Sequence, residues 1–141
     1  DWSVTGVQTC ALPIWKMNFV TATYTNAWAE TTGYLDVKDP WISMAKTYGQ
    51  IILNNNLKHR LDLMKKMIKT YSVDGMVMHS TRSCKPYSVG QFDLRKAITA
   101  DLDLPAVILD ADIADERVWS EQQIHTRLEA FCETLEGSKF G

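Results

Sequence analysis

Residues 79–93, HSTRSCKPYSVGQFD, concentrate the reactive side chains of this sequence. A thiol, Cys84, stands two residues after Arg82 and immediately before Lys85, close to the start of a helix. Positive charge and helix N-terminal amides both favour thiolate over thiol, and thiolate is the form that binds metal or acts as a nucleophile. An inert, partly buried cysteine in a strand-to-helix turn is the alternative, and spacing alone leaves both open. Cys132 differs: it lies mid-helix beside Phe131 and four residues after Leu128, where a free cysteine behaves as a small buried hydrophobe. Asp110 and Asp112 are spaced to make a metal or acid–base pair, although paired acids at a strand end more often are solvated or cap the next helix. The three histidines are dispersed, His59 and His125 on polar helix faces and His79 at a strand end. There is no HExxH or CxxC spacing to build a self-contained zinc site. Neither GxGxxG after a strand nor GxSxG is present, which counts against a dinucleotide-binding site and a nucleophile elbow.

The elements that position these groups follow from periodicity. Residues 76–78 (MVM) and 105–109 (PAVIL) are continuous apolar runs, the pattern of strands buried on both faces of a parallel sheet. A helix is predicted between them over about 89–102, and this crossover makes the strands parallel neighbours. Their carboxyl ends, where open parallel sheets bind ligands, then bring the Arg82–Lys85 loop close to Asp110 and Asp112. Upstream, Pro40 with Asp39 as N-cap opens a helix from Trp41 to about Leu53, with apolar residues at Ile42, Ala45, Tyr48 and Ile52. Leu57, Leu61, Met64, Ile68 and Tyr71 recur at helical spacing and predict one buried stripe. Lys65, Lys66 and Lys69 read as the solvated face of that helix rather than as a phosphate or CoA contact. Residues 18–23 (NFVTAT) read as a short strand, and the segment after them, holding Trp28 and Tyr34, as a long irregular but packed connection. A Ser120–Gln123 capping box opens a last helix that buries Ile124, Leu128, Phe131 and Leu135 and stops at Gly137. The order β-α-α-β-α-β-α gives an α/β fold with a doubly wound parallel sheet.

Composition narrows the class. At 141 residues, 45% hydrophobic and 23% charged, the chain has the make-up of one globular domain rather than a disordered one. A formal charge of −2 argues against a nucleic-acid footprint, and no window approaches the ~20 apolar residues needed to span a bilayer. Residues 1–14 (DWSVTGVQTCALPI) carry no helical or strand period and no secretory pattern. Val4 through Ile14 match, residue for residue, the translation of a common short-read sequencing adapter, so residues 1–14 are expected to be an assembly scar. Cys10 belongs to the scar, which leaves Cys84 and Cys132, no disulfide framework, and a reducing cytoplasm as the expected compartment. The expected organisation is therefore a scar over 1–14, an irregular or partial segment over 15–38, and a C-terminal α/β domain over 39–141 of a longer subunit.

The run RSCKPYSVGQFDLRKAI (82–98), preceded by VDGMVMHS (73–80) and followed by LPAVILDADIADERVWSEQQIHTRLEAF (104–131), resembles the C-terminal domain of a 2-hydroxyacyl-CoA dehydratase subunit. The same superfamily includes subunits of ATP-dependent benzoyl-CoA reductase. The resemblance runs with few gaps from about Asp39 to Leu135 and is loose over residues 18–37. It implies a flavodoxin-like doubly wound domain, one of two that hold a [4Fe–4S] cluster between them through three cysteine thiolates. Cys84 corresponds to the last of the three; the other two lie upstream, where the scar stands instead, and Cys10 is not one of them. Arg82 and Ser83 become the residues able to donate hydrogen bonds to cluster sulfur or the ligating thiolate and so tune its potential. The alternative for Arg82 is an ion pair with Asp110 or Asp112 that merely fixes the loop.

The resemblance also implies the chemistry. The β-proton of a 2-hydroxyacyl-CoA is far too weak an acid for an ordinary carboxylate or imidazole base. One electron, delivered by a separate ATP-hydrolysing iron–sulfur activator, reaches the thioester carbonyl by way of the cluster. The ketyl radical expels the 2-hydroxyl, the β-proton becomes acidic, and the electron returns once the (E)-2-enoyl-CoA has formed. In benzoyl-CoA reductases the same kind of electron enters the aromatic ring. The expectation is thus a truncated subunit of a cytoplasmic, oxygen-sensitive hydro-lyase. Its expected partners are a homologous second subunit, the activator and an acyl-CoA substrate, with no nucleic acid and no membrane. A benzoyl-CoA reductase-type subunit and a non-catalytic iron–sulfur or partner-docking subunit are the alternatives. With one thiolate of three, the isolated chain is expected to be inactive. Deleting residues 1–14 should leave thermal melting of the remainder unchanged within error; a lowered melting temperature would show that the segment packs as native protein.

Overall fold

The computed structural model describes residues 15–26, 33–112 and 114–139. The described residues divide into two compact units, one within residues 21–72 and the other made of residues 15–20 and the described residues from 73 to 139.

The second unit carries the sheet. Strands β1 (Met76–Thr81) and β2 (Ala106–Ala111) pair in parallel, in a register that runs from Met76 opposite Ala106 to Thr81 opposite Ala111. Their carboxyl ends are therefore level, as the two apolar runs predict. Every strand residue is buried or half-buried, so both faces are covered. Helices α5 (Gln91–Leu102) and α6 (Glu121–Lys139) pack on β2, and the short α4 (Lys85–Ser88) packs on β1. Met78, Leu94, Ile98, Leu104, Ile108 and Phe131 are buried, and Ile98 is 0% exposed. Arg127 of α6 donates from Nη1 to the Ile108 carbonyl at 2.8 Å, a side-chain donor supplied to a strand with one unpaired edge among the described residues. Where β1 begins, a Cβ on Gly75 would lie 2.5 Å from Leu135 Cδ2 and 2.9 Å from Phe131 Cζ, so glycine permits the close approach of α6.

The other unit is helical: α1 (Thr23–Asn26), α2 (Pro40–Gly49), a 3₁₀ turn over Ile52–Asn54 and α3 (Leu57–Thr70). Asp39 caps α2 by accepting from the Ile42 amide, and Asn56 caps α3 by accepting from the His59 amide at 2.9 Å. Ile51 and Ile52 form a small buried cluster with Leu53 and Leu63 packed against them.

Several local expectations are corrected. Residues 16–22 have no regular structure and Thr23 starts a helix, so the expected strand over 18–23 is absent. Among the described residues β1 and β2 pair only with each other, and an isolated apolar run without a partner has no ladder to join. The helix expected over 89–102 begins at Gln91, because Gly90 takes φ 84°, outside helical space, and the separate short helix α4 precedes it where a loop was expected. The last helix continues through Gly137 to Lys139; Gly137 is exposed, and a mid-helix glycine costs only about 1 kcal/mol relative to alanine. The helix from Trp41 ends at Gly49 and resumes as a 3₁₀ turn. Its buried residues are Ser43 and Thr47 rather than Ile42 and Tyr48, because both hydroxyls bond to backbone: Ser43 Oγ to the Asp36 and Pro40 carbonyls and Thr47 Oγ1 to the Ser43 carbonyl. On α3, Arg60, Met64 and Met67 are buried while Leu57 and Tyr71 are exposed. The Arg60 guanidinium drives that rotation of the buried face, donating to the Ile52, Leu53 and Asn55 carbonyls at 3.0–3.2 Å and so satisfying a charge that burial would otherwise penalise. Tyr34, expected to be packed, is exposed, and Trp28 lies outside the described residues. Among the described residues no helix is long and apolar enough to cross a membrane.

Replacing Ile98 with Ala should cost about 2–5 kcal/mol of unfolding free energy by denaturant titration, the range for a fully buried aliphatic truncation. Phe92→Ala, at a side chain 70% exposed near the start of α5, should stay within about 0.5 kcal/mol of the parent.

Candidate functional site

The level carboxyl ends of β1 and β2 create the site. β1 stops at Thr81, and Cys84 follows three residues later, half-buried and free of any disulfide. The Cys84 amide donates to the Thr81 carbonyl at 3.1 Å, closing a turn, and its carbonyl accepts from the Ser88 amide at 3.0 Å as the first bond of α4. Ser88 Oγ also donates to the Thr81 carbonyl, so the strand end and α4 are tied together. Below this turn, buried Gln91 at the head of α5 donates from Nε2 to the His79 carbonyl at 2.8 Å. His79 Nδ1 lies 3.1 Å from Thr81 Oγ1. The helix that begins beside Cys84 is the four-residue α4, not the longer α5, so the thiol does not face the macrodipole of a long helix.

The neighbouring strand contributes an acid. Asp112, one residue past β2, accepts from the Ser83 amide at 2.6 Å, from Ser83 Oγ at 2.9 Å and from the Ala114 amide at 2.9 Å. The Ala114 and Ser83 amides, followed by the Ser83 hydroxyl and the Asp115 amide, hold its carboxyl below the usual carboxylate range. Asp110 stays within β2, opposite Ser80. The expected proximity of the thiol loop to this acidic segment is therefore present, and the acid that makes the contact is Asp112. Its partner is Ser83: among the described residues no ion pair joins Arg82 to either aspartate, and Arg82 is exposed. Both polar protons of Ser83 are directed at Asp112. Farther along the same loop, Asp115 is held below the usual range by Arg117, whose Nε and Nη2 both bond to it at 2.8 Å. Asp112, Asp115, Arg117 and Trp119 help line an open cleft of about 600 Å³.

The two described cysteines are in different surroundings. Cys132 lies half-buried on α6 with Sγ 3.7 Å from the Trp15 carbonyl, and burial, with Glu136 adding to it, pushes its thiol up, away from thiolate. Among the described residues no three His, Cys, Asp or Glu side chains gather into a metal site. The described residues around Cys84 therefore could not complete such a site, and the thiol could supply at most one ligand to a group held partly by other residues. The sequence reading placed Asp112 beside this loop but offered Arg82 rather than Ser83 as its partner, and the burial of Gln91 escaped it, since glutamine after glycine carries no particular sign.

The described residues thus include an α/β module with a parallel strand pair and one thiol on a tethered loop at its carboxyl edge. The chain belongs to the family described as 2-hydroxyglutaryl-CoA dehydratase, D-component, whose model matches residues 14–135. It is 34% identical over 96 residues to the alpha subunit of lactoyl-CoA dehydratase from Anaerotignum propionicum, covering 68% of this chain and 23% of that one. It is 29% identical over 106 residues to a subunit of benzoyl-CoA reductase from Thauera aromatica, covering 75% of this chain and 24% of the relative. With the (R)-2-hydroxyisocaproyl-CoA dehydratase alpha subunit of Clostridioides difficile the identity is 25% over 138 residues, 98% of this chain and 33% of the relative. The chain therefore spans a quarter to a third of the length of these relatives.

A carboxylate whose pKa is depressed on folding stabilises the folded loop above its unfolded pKa and loses that contribution as pH falls through the folded value. Hydrogen exchange should accordingly find the Ser83 amide protected at neutral pH and unprotected under acid conditions that protonate Asp112, while amides within β1 stay protected. Equal protection of Ser83 on both sides of that transition would contradict the clasp.

Proposed function

We propose that this chain contributes one thiolate, Cys84, to a [4Fe–4S] cluster in a 2-hydroxyacyl-CoA dehydratase subunit. The complete enzyme would eliminate water from an (R)-2-hydroxyacyl-CoA to give the (E)-2-enoyl-CoA. The observation that carries this reading is the placement of Cys84, half-buried on a doubly tethered turn at the carboxyl edge of a parallel pair, in a chain of this family. The cluster, when bound, supplies the one-electron chemistry that an ordinary side-chain base lacks. The residues of this chain bind and orient. The turn bonds to Thr81 and Ser88 fix the Cys84 backbone. Arg82, exposed and unpaired with the aspartates, is free to donate toward cluster sulfur, a contact that stabilises the more reduced state.

The remaining two thiolates, the doubly wound flavodoxin-like extension of the sheet, a homologous partner subunit and an ATP-hydrolysing activator belong to the same proposal, as does a reducing cytoplasm. Named subunits among the relatives support a multi-subunit enzyme. A benzoyl-CoA reductase-type reaction is the second reading, favoured by the 29% identity to a subunit of that enzyme over 75% of this chain.

In the full-length subunit with its partner, Cys84→Ala should abolish or deplete the iron–sulfur absorbance and abolish turnover. Cys132→Ala should leave both unchanged with at most a modest loss of stability. Full iron content in Cys84→Ala would overturn the assignment. Assay of the assembled enzyme with 2-hydroxyacyl-CoA and with benzoyl-CoA separates the two reactions. Arg82→Gln should shift the cluster potential at unchanged melting; a lowered melting temperature at constant potential would make Arg82 a structural residue instead.

A further inference from the structure

We propose that Asp112 is a positioning residue for Cys84, its carboxylate fixing Ser83 and thereby the direction in which the loop presents the thiol. The inference rests on the reading of Cys84 as a cluster ligand and extends it to a residue on the other strand. Three donors converge on this carboxylate: the Ser83 amide at 2.6 Å, Ser83 Oγ at 2.9 Å and the Ala114 amide at 2.9 Å. Bonds that involve an ionised acceptor are shorter and stronger than neutral ones, and here two of the three go to one residue.

That residue is one peptide bond from Cys84. Behind the thiol, the Cys84 carbonyl is held by the Ser88 amide; ahead of it, the Cys84 amide is held by the Thr81 carbonyl. Both restraints come from the same β1–α4 segment, so they tie the turn to the end of β1 but not to β2. Ser83 to Asp112, 29 residues apart in sequence, is the hydrogen-bonded link from this turn to the end of β2. It uses both ends of the serine, amide and hydroxyl, so it constrains the orientation of the peptide plane that leads into Cys84 as well as its position. A ligating thiolate needs this precision, because its supporting contacts set how the ligand meets the metal. The clasp also engages the Ser83 hydroxyl proton, so that proton is directed at the carboxylate rather than at the neighbouring sulfur.

Two measurements test the role, one needing no metal. Site-resolved alkylation by iodoacetamide, read by mass spectrometry of the separate cysteine peptides, reports access to each thiol in this chain. Asp112→Ala should alkylate Cys84 several-fold faster than the parent, with the Cys132 rate unchanged as the internal reference. Ser83→Ala, which keeps the amide bond to Asp112, should give an intermediate rate, and adding it to Asp112→Ala should change nothing further. Asp112→Glu should restore part of the parent rate. In the iron-loaded full-length subunit with its partner, Asp112→Ala should retain iron but show an altered electron paramagnetic resonance spectrum of the reduced cluster. An unchanged Cys84 rate in Asp112→Ala, or equal acceleration at Cys84 and Cys132, overturns the positioning role. Should Asp112→Ala fail to fold, the Ser83→Ala rate decides alone, an unchanged value counting against the proposal. Iron retention in Cys84→Ala overturns the cluster reading instead, so the two ideas fail by different observations.

Discussion

The parallel register of β1 against β2 is the constraint from which the rest of the sheet unit follows. Parallel strands cannot be joined by a tight turn, so the chain leaving β1 must travel the length of the sheet before β2 can begin. That return is α5, and its buried residues Leu94 and Ile98, with Leu104 beyond it, supply apolar surface to the core. The same geometry forces both strand ends to one edge. Thr81 opposite Ala111 places the loop after β1 beside the loop after β2, and a contact between residues 83 and 112 becomes short-range in space. A slip of one residue in this pairing would put Met78 and Ile108 on opposite faces of the sheet and separate Ser83 from Asp112.

Within that frame, the loop after β1 is organised by backbone bonds and one carboxylate. Cys84 sits in a turn closed by Thr81 and Ser88, and Gly90, in left-handed space, separates α4 from α5 so that the turn is independent of the crossover helix. Gln91 anchors the other end of this segment to the His79 carbonyl. The thiol thus leaves a short strand-to-helix connection whose supports lie on β1, on α5 and at the end of β2. Such preorganisation is what the proposed cluster ligation by Cys84 would require. The second thiol, Cys132, has none of it; it lies along a helix and is pushed away from thiolate by burial.

The legible parts of this structure were those set by strong local patterns. Two continuous apolar runs identified β1 and β2, the intervening residues required a crossover, and their parallel pairing followed. Asp39 and Pro40 marked the start of α2 because cap chemistry is local. The errors arose where tertiary contacts overrode pattern. On α3 an arginine took a core position because three carbonyls of the preceding segment awaited a donor, and no periodicity of apolar residues encodes that. On α2 two hydroxyls were buried for the same reason. The apolar run at 18–23 lacked a strand to pair with, which a sequence window does not show. At the site, Cys84 was visible as a thiol between two cations before a helix, but the choice of Ser83 rather than Arg82 as the aspartate's partner depended on which donors faced β2. The family was recognisable from the residues around Cys84, although the chain spans only a quarter to a third of its relatives.

The proposed function turns on the binding of iron at the sulfur of Cys84, at the carboxyl edge of the parallel pair. Diffraction data collected at the iron absorption edge from an anaerobically purified full-length subunit with its partner test it most directly. The account predicts an anomalous peak within bonding distance of Cys84 Sγ, beside the Ser83–Asp112 contact. An iron peak coordinated elsewhere, with Cys84 Sγ outside bonding distance, would contradict it.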